Sequence, residues 1–271
     1  MTAPSSTPRY VPTATPLRML AQQALSRAAG APLLAGNAVN LLIDGRANYD
    51  AWLQAIAGAR ESILFENYIF NDDALTREFL AALTERAIAG VRVCIIRDWL
   101  GCLGQSSTGF WRPLVDAGGE VRTYNPLSLA SPFGWIARDH RKLLVVDAEV
   151  GFIGGICVSA KWLGDPSRDI PPWRDTGIAV RGPAVRDLAI AFADNWAGMG
   201  DPLPAELAAL GDDHAVAGDM DVRVVATLPN TSGLYRLDQM IASMASHSLW
   251  LTDAYFVGVA PYVQSLGAAA R

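Results

Sequence analysis

Apolar positions along the chain follow two alternating rhythms. Leu17, Leu20, Ala21, Ala24 and Leu25 recur at helical spacing and predict an amphipathic helix over 17–29. From Asn40 onward, short apolar runs alternate with amphipathic stretches. NLLID (40–44), ILFENYIF (63–70), VRVCII (91–96), EVRTY (120–124), LLVVD (143–147), VGFIG (150–154), TGIAV (176–180) and VRVVATL (222–228) read as strands. Helices are expected over 49–59, 75–89, 108–117 and 183–196. In the second of these, Leu75, Phe79, Leu80, Leu83 and Ala87 share one face, and Gly90 supplies the stop. Pro183 opens the last one in its first turn. Strands alternating with helices predict an α/β fold, with a mixed and mostly parallel sheet flanked by helices.

Late in the chain the pattern begins again. Residues 62–70 (SILFENYIF) parallel 248–256 (SLWLTDAYF), and each stretch follows a helix ending in Ile-Ala-Gly or Ile-Ala-Ser and precedes another helix. The offset is about 186 residues, and about 183 beyond a short gap. Four segments follow from this. Residues 1–16, rich in Ser, Thr and Pro, form a tail expected to be disordered. Residues 17–45 are a helix and strand leading into the domain, 46–228 one complete α/β half, and 229–271 the incomplete start of a second half. The second copy stops at Arg271, where its counterpart near Ala87 is mid-helix, so the sequence is expected to be a fragment or a truncated product. In that case 248–256 would form an exposed apolar edge strand.

Composition narrows the function classes. With 271 residues, 51% of them hydrophobic, the chain can bury a substantial core. Its net charge of −5 argues against a nucleic-acid partner, although local basic patches are compatible with it. Cys94, Cys102 and Cys157 lack metal-ligand spacing and read as reduced thiols of a cytoplasmic protein. The first residues lack the order of a signal peptide, and no run of about 18 apolar residues predicts a membrane span. The nearest, LLVVDAEVGFIGGICV, is interrupted by Asp147 and Glu149.

The chemistry concentrates at His140-Arg141-Lys142-Leu-Leu-Val-Val-Asp147, an H-x-K-x4-D pattern. Residues two apart on a strand share a face, so His140 and Lys142 point the same way at the mouth of the strand. An imidazole beside an ammonium suits a phosphate ester. Lys neutralises the phosphoryl oxygens, while His attacks phosphorus or protonates the leaving oxygen. The blander alternative puts both on a solvated edge, with Asp147 beginning a turn. Glu66, within an apolar strand, needs a partner. It either lines the site or pairs with Arg97 or another basic residue. His214 and His247 read as solvated, and Cys94 as a small core residue. Residues 126–136, with Phe133 and Trp135, form either a loop packed over the core or a lip for acyl chains and a membrane surface. The loop Trp99–Gly109 is a second candidate lining of the site.

With GNAVNLLIDG, ENYIF, the Ala-rich helix with GVRV, RDHRKLLVVD followed six residues later by GG, and GPAV followed by Phe192 and Trp196, the sequence resembles the phospholipase D superfamily, and within it the bacterial cardiolipin synthases. The resemblance runs from about residue 35 to the end. It implies two similar α/β halves, each giving one H-x-K-x4-D motif to a shared site, and a phosphohistidine intermediate without metal or organic cofactor. It makes His140 the nucleophile or general acid, Lys142 the phosphate clamp and Asp147 the supporting carboxylate. Gly154 and Gly155 match the family's glycine pair. The family pattern places Asn two positions later, where this chain has Cys157, a weaker hydrogen-bond donor; Ser159 is the alternative hydroxyl. Asp175 stands where the family puts an acid that orients the His; the alternative is a turn cap before a strand. The implied function is transfer of a phosphatidyl group between lipid alcohols, as in cardiolipin synthesis. The implied partners are a phosphatidylglycerol-like lipid, a membrane surface met peripherally on the cytoplasmic side, and a second half-site from further chain or a second copy. Two alternatives stand beside it: a phospholipase or other phosphodiesterase of the same superfamily, and an inactive fragment that binds phosphorylated ligands.

Overall fold

A computed structural model of the chain describes residues 16–127, 137–204, 207, 215–227, 232–253 and 256–271. It divides into two compact units, Leu34–Val224 and the described parts of Met1–Leu33 with Val225–Arg271.

The larger unit is built on an eight-stranded sheet. In chain order its strands are β1 (Leu34–Ile43), β2 (Ser62–Asn67), β3 (Arg92–Asp98), β4 (Glu120–Tyr124), β5 (Lys142–Val146), β6 (Val150–Gly154), β7 (Thr176–Arg181) and β8 (Met220–Val222). Across the sheet they run β4-β3-β2-β5-β6-β7-β1-β8. Helices α2 (Asp44–Gly58), α3 (Ala74–Ile88), α4 (Arg112–Asp116) and α5 (Ala184–Ala197) complete this unit.

The expected mixed α/β sheet is present, but its parallel part is smaller than the strand–helix alternation suggested. Only β2–β3 and β3–β4 pair in parallel; the remaining neighbours are antiparallel. Connections explain the difference. A parallel step needs a crossover, and α3 and α4 supply the two that exist. Between β5 and β6 only Asp147, Ala148 and Glu149 intervene, which is enough for a hairpin and no more.

Both faces of the sheet are covered. Ile63, Phe65, Val93, Ile95, Leu144, Val146 and Phe152 pack with α2, α3 and α4. The intervening residues Leu64, Cys94, Ile96, Leu143 and Val145 pack with Leu188, Phe192 and Trp196 of α5. This is the period-two alternation of strands buried on both sides. The predicted face of α3 is buried as read, and Gly90 follows its end at φ +91°. Cys94 is in the core as expected, and all three cysteines are free.

Two expected strands are corrected. Of VRVVATL, residues 223–227 carry no strand, because the partner strand β1 does not reach them. The edge strand β8 ends at Val222, paired to Leu34, the first residue of β1. Residues 248–253 are not a strand; they carry no regular structure, and Trp250 is 90% exposed. No described strand lies alongside to satisfy their backbone groups, and a lone strand is not stable in water. In this smaller unit, α1 (Pro16–Ala29) packs on α6 (Gly233–Met244), which packs on α7 (Ala260–Ala269). No helix among the described residues is long and apolar enough to cross a membrane. The expected tail, the lip residues Phe133 and Trp135, and His214 lie outside the described residues, apart from Pro16, which opens α1. His247 is exposed.

Candidate active site

Register brings the chemistry to one edge of the sheet. Asn67 at the end of β2 is level with Arg97 on β3 and with Lys142 at the start of β5. Gly154 at the end of β6 is level with Gly177 near the start of β7. The carboxyl ends of β2, β3 and β6 thus meet the amino ends of β5 and β7.

His140 and Lys142 come together there, as the two-residue spacing required. Lys142 Nζ lies 3.2 Å from His140 Nδ1 and donates to His140 O at 2.6 Å. Lys142 is 7% exposed, whereas the His140 side is open to solvent. An ammonium can only donate, so Nδ1 accepts in this contact and leaves Nε2 facing outward. Burial, then the neighbouring ammonium, hold the imidazole below its ordinary pKa. Burial likewise lowers Lys142. The His140 ring packs 4.6 Å from that of Tyr68, and Lys142 Nζ lies 5.3 Å from the Tyr68 centroid. Tyr68 is held by the 99–109 loop: a Cβ at Gly101 would fall 2.1 Å from Tyr68 O. That loop is braced by Arg97, which donates to Ser106 O, and by Asp98, which accepts from Gly101 N at 2.8 Å.

The other predicted residues divide. Cys157 is buried, with its thiol pushed up to about 11 by burial, against which the Lys142 ammonium pulls it down. Ser159 is not an open hydroxyl. Its Oγ accepts from Asn71 Nδ2 at 2.6 Å and from Lys161 N at 3.2 Å, capping a short 3-10 turn. The carboxylate of Asp175 accepts from Trp162 Nε1 and Thr176 N, both at 2.8 Å, and not from His140. The two glycines are explained by close approach. A Cβ at Gly154 would fall 2.8 Å from Gly177 Cα, and one at Gly155 2.4 Å from Asp175 Oδ1.

Asp147 is not brought to His140. It follows the far end of β5, five residues beyond Lys142 and so roughly 16 Å away along the strand. There, at φ +52°, it accepts from the backbone N–H groups of Arg60, Glu61 and Ser62, each at 2.8 Å. It ties the α2–β2 loop to the β5–β6 turn.

Behind the site lies a cluster that the sequence reading missed. Asp139 and Arg141 flank His140 and point to the opposite face, toward α5. Glu66, fully buried, meets them there. Asn195 Nδ2 donates to Glu66 Oε1 and, at 3.0 Å, to Asp139 Oδ2. Arg141 Nε lies 3.6 Å from Glu66 and 3.4 Å from Asp139. The partner of Glu66 is therefore Arg141 rather than Arg97. Burial, reinforced by Asp139, pushes Glu66 well above the carboxylate range. Asp98 Oδ2 accepts from Asp139 N at 2.9 Å, and burial raises its pKa too. Alternation in D-H-R-K was the available signal: it puts Asp139 and Arg141 on the face that Glu66 shares. Among the described residues, no group of three or more His, Cys, Asp or Glu side chains is arranged to hold a metal ion.

A family model described as "Cardiolipin synthase, PLD-like domain" matches residues 52–163. Cardiolipin synthase A of Pseudomonas fluorescens (strain SBW25) is 34% identical over 236 residues, covering 83% of this chain and 47% of the relative. Cardiolipin synthase A of Pseudomonas aeruginosa (strain LESB58) is 35% identical over 240 residues, covering 87% and 48%. The chain spans about half the length of the curated relatives it matches. Among solved structures, phosphatidylserine synthase of Haemophilus influenzae Rd KW20 aligns with a TM-score of 0.53 at 14% identity, over 82% of this chain and 57% of that one, which is a likeness of fold.

Proposed function

The chain belongs to the phospholipase D superfamily, and from that premise we propose that it is a phosphatidyltransferase half-site of the cardiolipin synthase type, working through a phosphohistidine at His140. The observation that carries this reading is the 3.2 Å contact of a solvent-facing imidazole with a buried ammonium at the mouth of β5. In the reaction, once Lys142 has released Nδ1 the ring carries its proton there, the unprotonated Nε2 of His140 attacks phosphorus, and the bond from phosphorus to the glycerol oxygen breaks. Lys142 swings from His140 to the phosphoryl oxygens and stabilises the charge that builds on them. An acceptor alcohol then displaces the imidazole. Cys157, beside Lys142, is a neutral thiol contact in this scheme, and Asp175 supports the phosphate side of the site through Gly155. Asp147 is structural.

The leaving oxygen needs a proton, and the described site supplies one imidazole. A second half-site, from further chain or a second copy, supplies that acid in this reading. The lipid is a phosphatidylglycerol-like diester met at a membrane surface, with the protein on its cytoplasmic side.

The open face of His140 also favours a second reading, hydrolysis, because water reaches the phosphoenzyme as easily as an alcohol does. One experiment addresses both. The chain, alone and joined to a complete second half, is incubated with labelled phosphatidylglycerol. Labelled cardiolipin that disappears with His140→Ala supports the transferase; labelled phosphatidic acid alone supports the hydrolase. Unchanged turnover in His140→Ala sinks both.

A further inference from the structure

His140 is gripped from behind by two neighbours whose side chains enter a closed acidic chamber. Glu66 is 0% and Asp139 4% exposed, and one amide nitrogen, Asn195 Nδ2, serves an oxygen of each. Oxygens that share one donor are neighbours themselves. Among the described residues, Arg141 is the cation within ion-pair distance of both carboxylates; its guanidinium also donates to Ala191 O of α5 at 2.8 Å. Lys142 and His140 act on Asp139 from the other face of the strand, whereas for Glu66 the cation is Arg141. Asp98 lies on the β3 side and Tyr124 on the β4 side, while in register Glu66 stands beside Ile96 and Leu143. Glu66 Oε2 is buried without any hydrogen-bond partner. An ionised carboxylate with an orphan oxygen in an apolar wall is costly; a carboxylic acid is far less so.

We propose that Glu66 and Asp139 hold one proton between them at neutral pH, and that this singly charged pair, bridged by Asn195 and neutralised by Arg141, is the positioning device that fixes the backbone of His140. Glu66 is a positioning residue: it touches neither substrate nor the imidazole. One proton leaves a single carboxylate against the guanidinium in contact with both acids, and it gives the two acids a hydrogen bond instead of a repulsion. Losing the proton leaves two adjacent buried anions that repel each other and drives Asp139, and with it His140, out of place. The inference rests on the proposed role of His140 only for its consequence on rate; the shared proton stands apart from it.

The test has two independent parts. Infrared difference spectra of wild type against Glu66→Gln at neutral pH should show the carbonyl stretch of a protonated carboxyl in wild type alone. The imidazole of His140, assigned among three histidines by its loss in His140→Ala, should titrate at the same pH in Glu66→Gln as in wild type. No protonated-carboxyl band, or a His140 titration moved down in Glu66→Gln by removal of an anion, overturns the shared proton. For positioning, Glu66→Ala and the half-exposed Arg141→Lys should lower kcat by about ten-fold or more with KM little changed, while Glu66→Gln restores the rate. The wild-type rate should fall on the alkaline side where that of Glu66→Gln does not. Equal kcat in wild type, Arg141→Lys and Glu66→Ala overturns the positioning role, and if Glu66→Ala does not fold, Arg141→Lys decides it. Should the protein turn over no phosphodiester at all, the functional reading fails, and His140 ring shifts in Arg141→Lys still decide the positioning: unchanged shifts overturn it.

Discussion

The ring nitrogen that faces Lys142 decides what His140 can do. While Nδ1 accepts from the ammonium, the neutral ring carries its proton on Nε2, so the proposed attack awaits both the transfer of Lys142 to a phosphate and the move of the ring proton to Nδ1. Because burial and Lys142 lower the imidazole pKa, the neutral form persists to lower pH than in an ordinary histidine, near 6.5. The acid limb of the pH–rate profile is therefore expected below that value. Lys142→Met should move the limb to higher pH, since a repelling cation is gone, and should lower kcat by about 10²–10³-fold. A limb that stays in place contradicts the electrostatic account. Cys157, with its thiol near 11, is expected to resist iodoacetamide at pH 7 in the folded protein and to react once unfolded; rapid labelling of the native protein would mean the thiol is open or activated. At this scale the sequence showed that His140 and Lys142 come together, because a two-residue spacing on a strand is enough to predict a shared face. It did not show Tyr68, whose contact with His140 depends on how the 99–109 loop closes against it. It did not separate Asp147 from His140 and Lys142 either, since five residues in an extended strand read as neighbours on paper.

Asp147 holds the α2–β2 loop to the β5–β6 turn. It gathers three backbone N–H groups at the start of β2, the strand that carries Glu66, Asn67 and, just beyond, Tyr68. Asp147→Ala should cost about 1.5–3 kcal/mol of stability, read from denaturant melts, while the folded fraction keeps its kcat. Loss of rate without loss of stability would return Asp147 to the chemistry. Strand positions were legible where apolar runs end in turn residues, as at β4 and β6, and α3 was legible from its five-residue apolar face. Strand direction was not, because β2, β3 and β5 carry the same double-sided apolar pattern whichever way they pair. The segment 248–253 has the apolar composition of β2 and no ladder; composition supplies a strand's side chains, but only neighbours satisfy its backbone.

For the molecule as a whole, the division at Leu34 and Val224 matters most, since the sheet, both its faces and every residue of the site fall within one unit. Residues 34–224 alone are expected to fold cooperatively and to keep the His140 titration of the full chain; an unfolded or non-cooperative fragment would mean the remaining helices are needed for the core. In the proposed reaction this unit is half of a larger catalytic arrangement, for a reason of chemistry more than of shape: one imidazole would serve as nucleophile, and another group would protonate the leaving oxygen. An aryl phosphodiester removes that second requirement, because its phenolate departs without a proton. The most direct measurement is therefore mass spectrometry of the chain quenched at alkaline pH after mixing with bis(p-nitrophenyl) phosphate. The account predicts a phosphoryl adduct on His140 that is lost in acid, absent from His140→Ala and much reduced in Lys142→Met. An adduct that persists in His140→Ala, or none in wild type while p-nitrophenol is released, would contradict it.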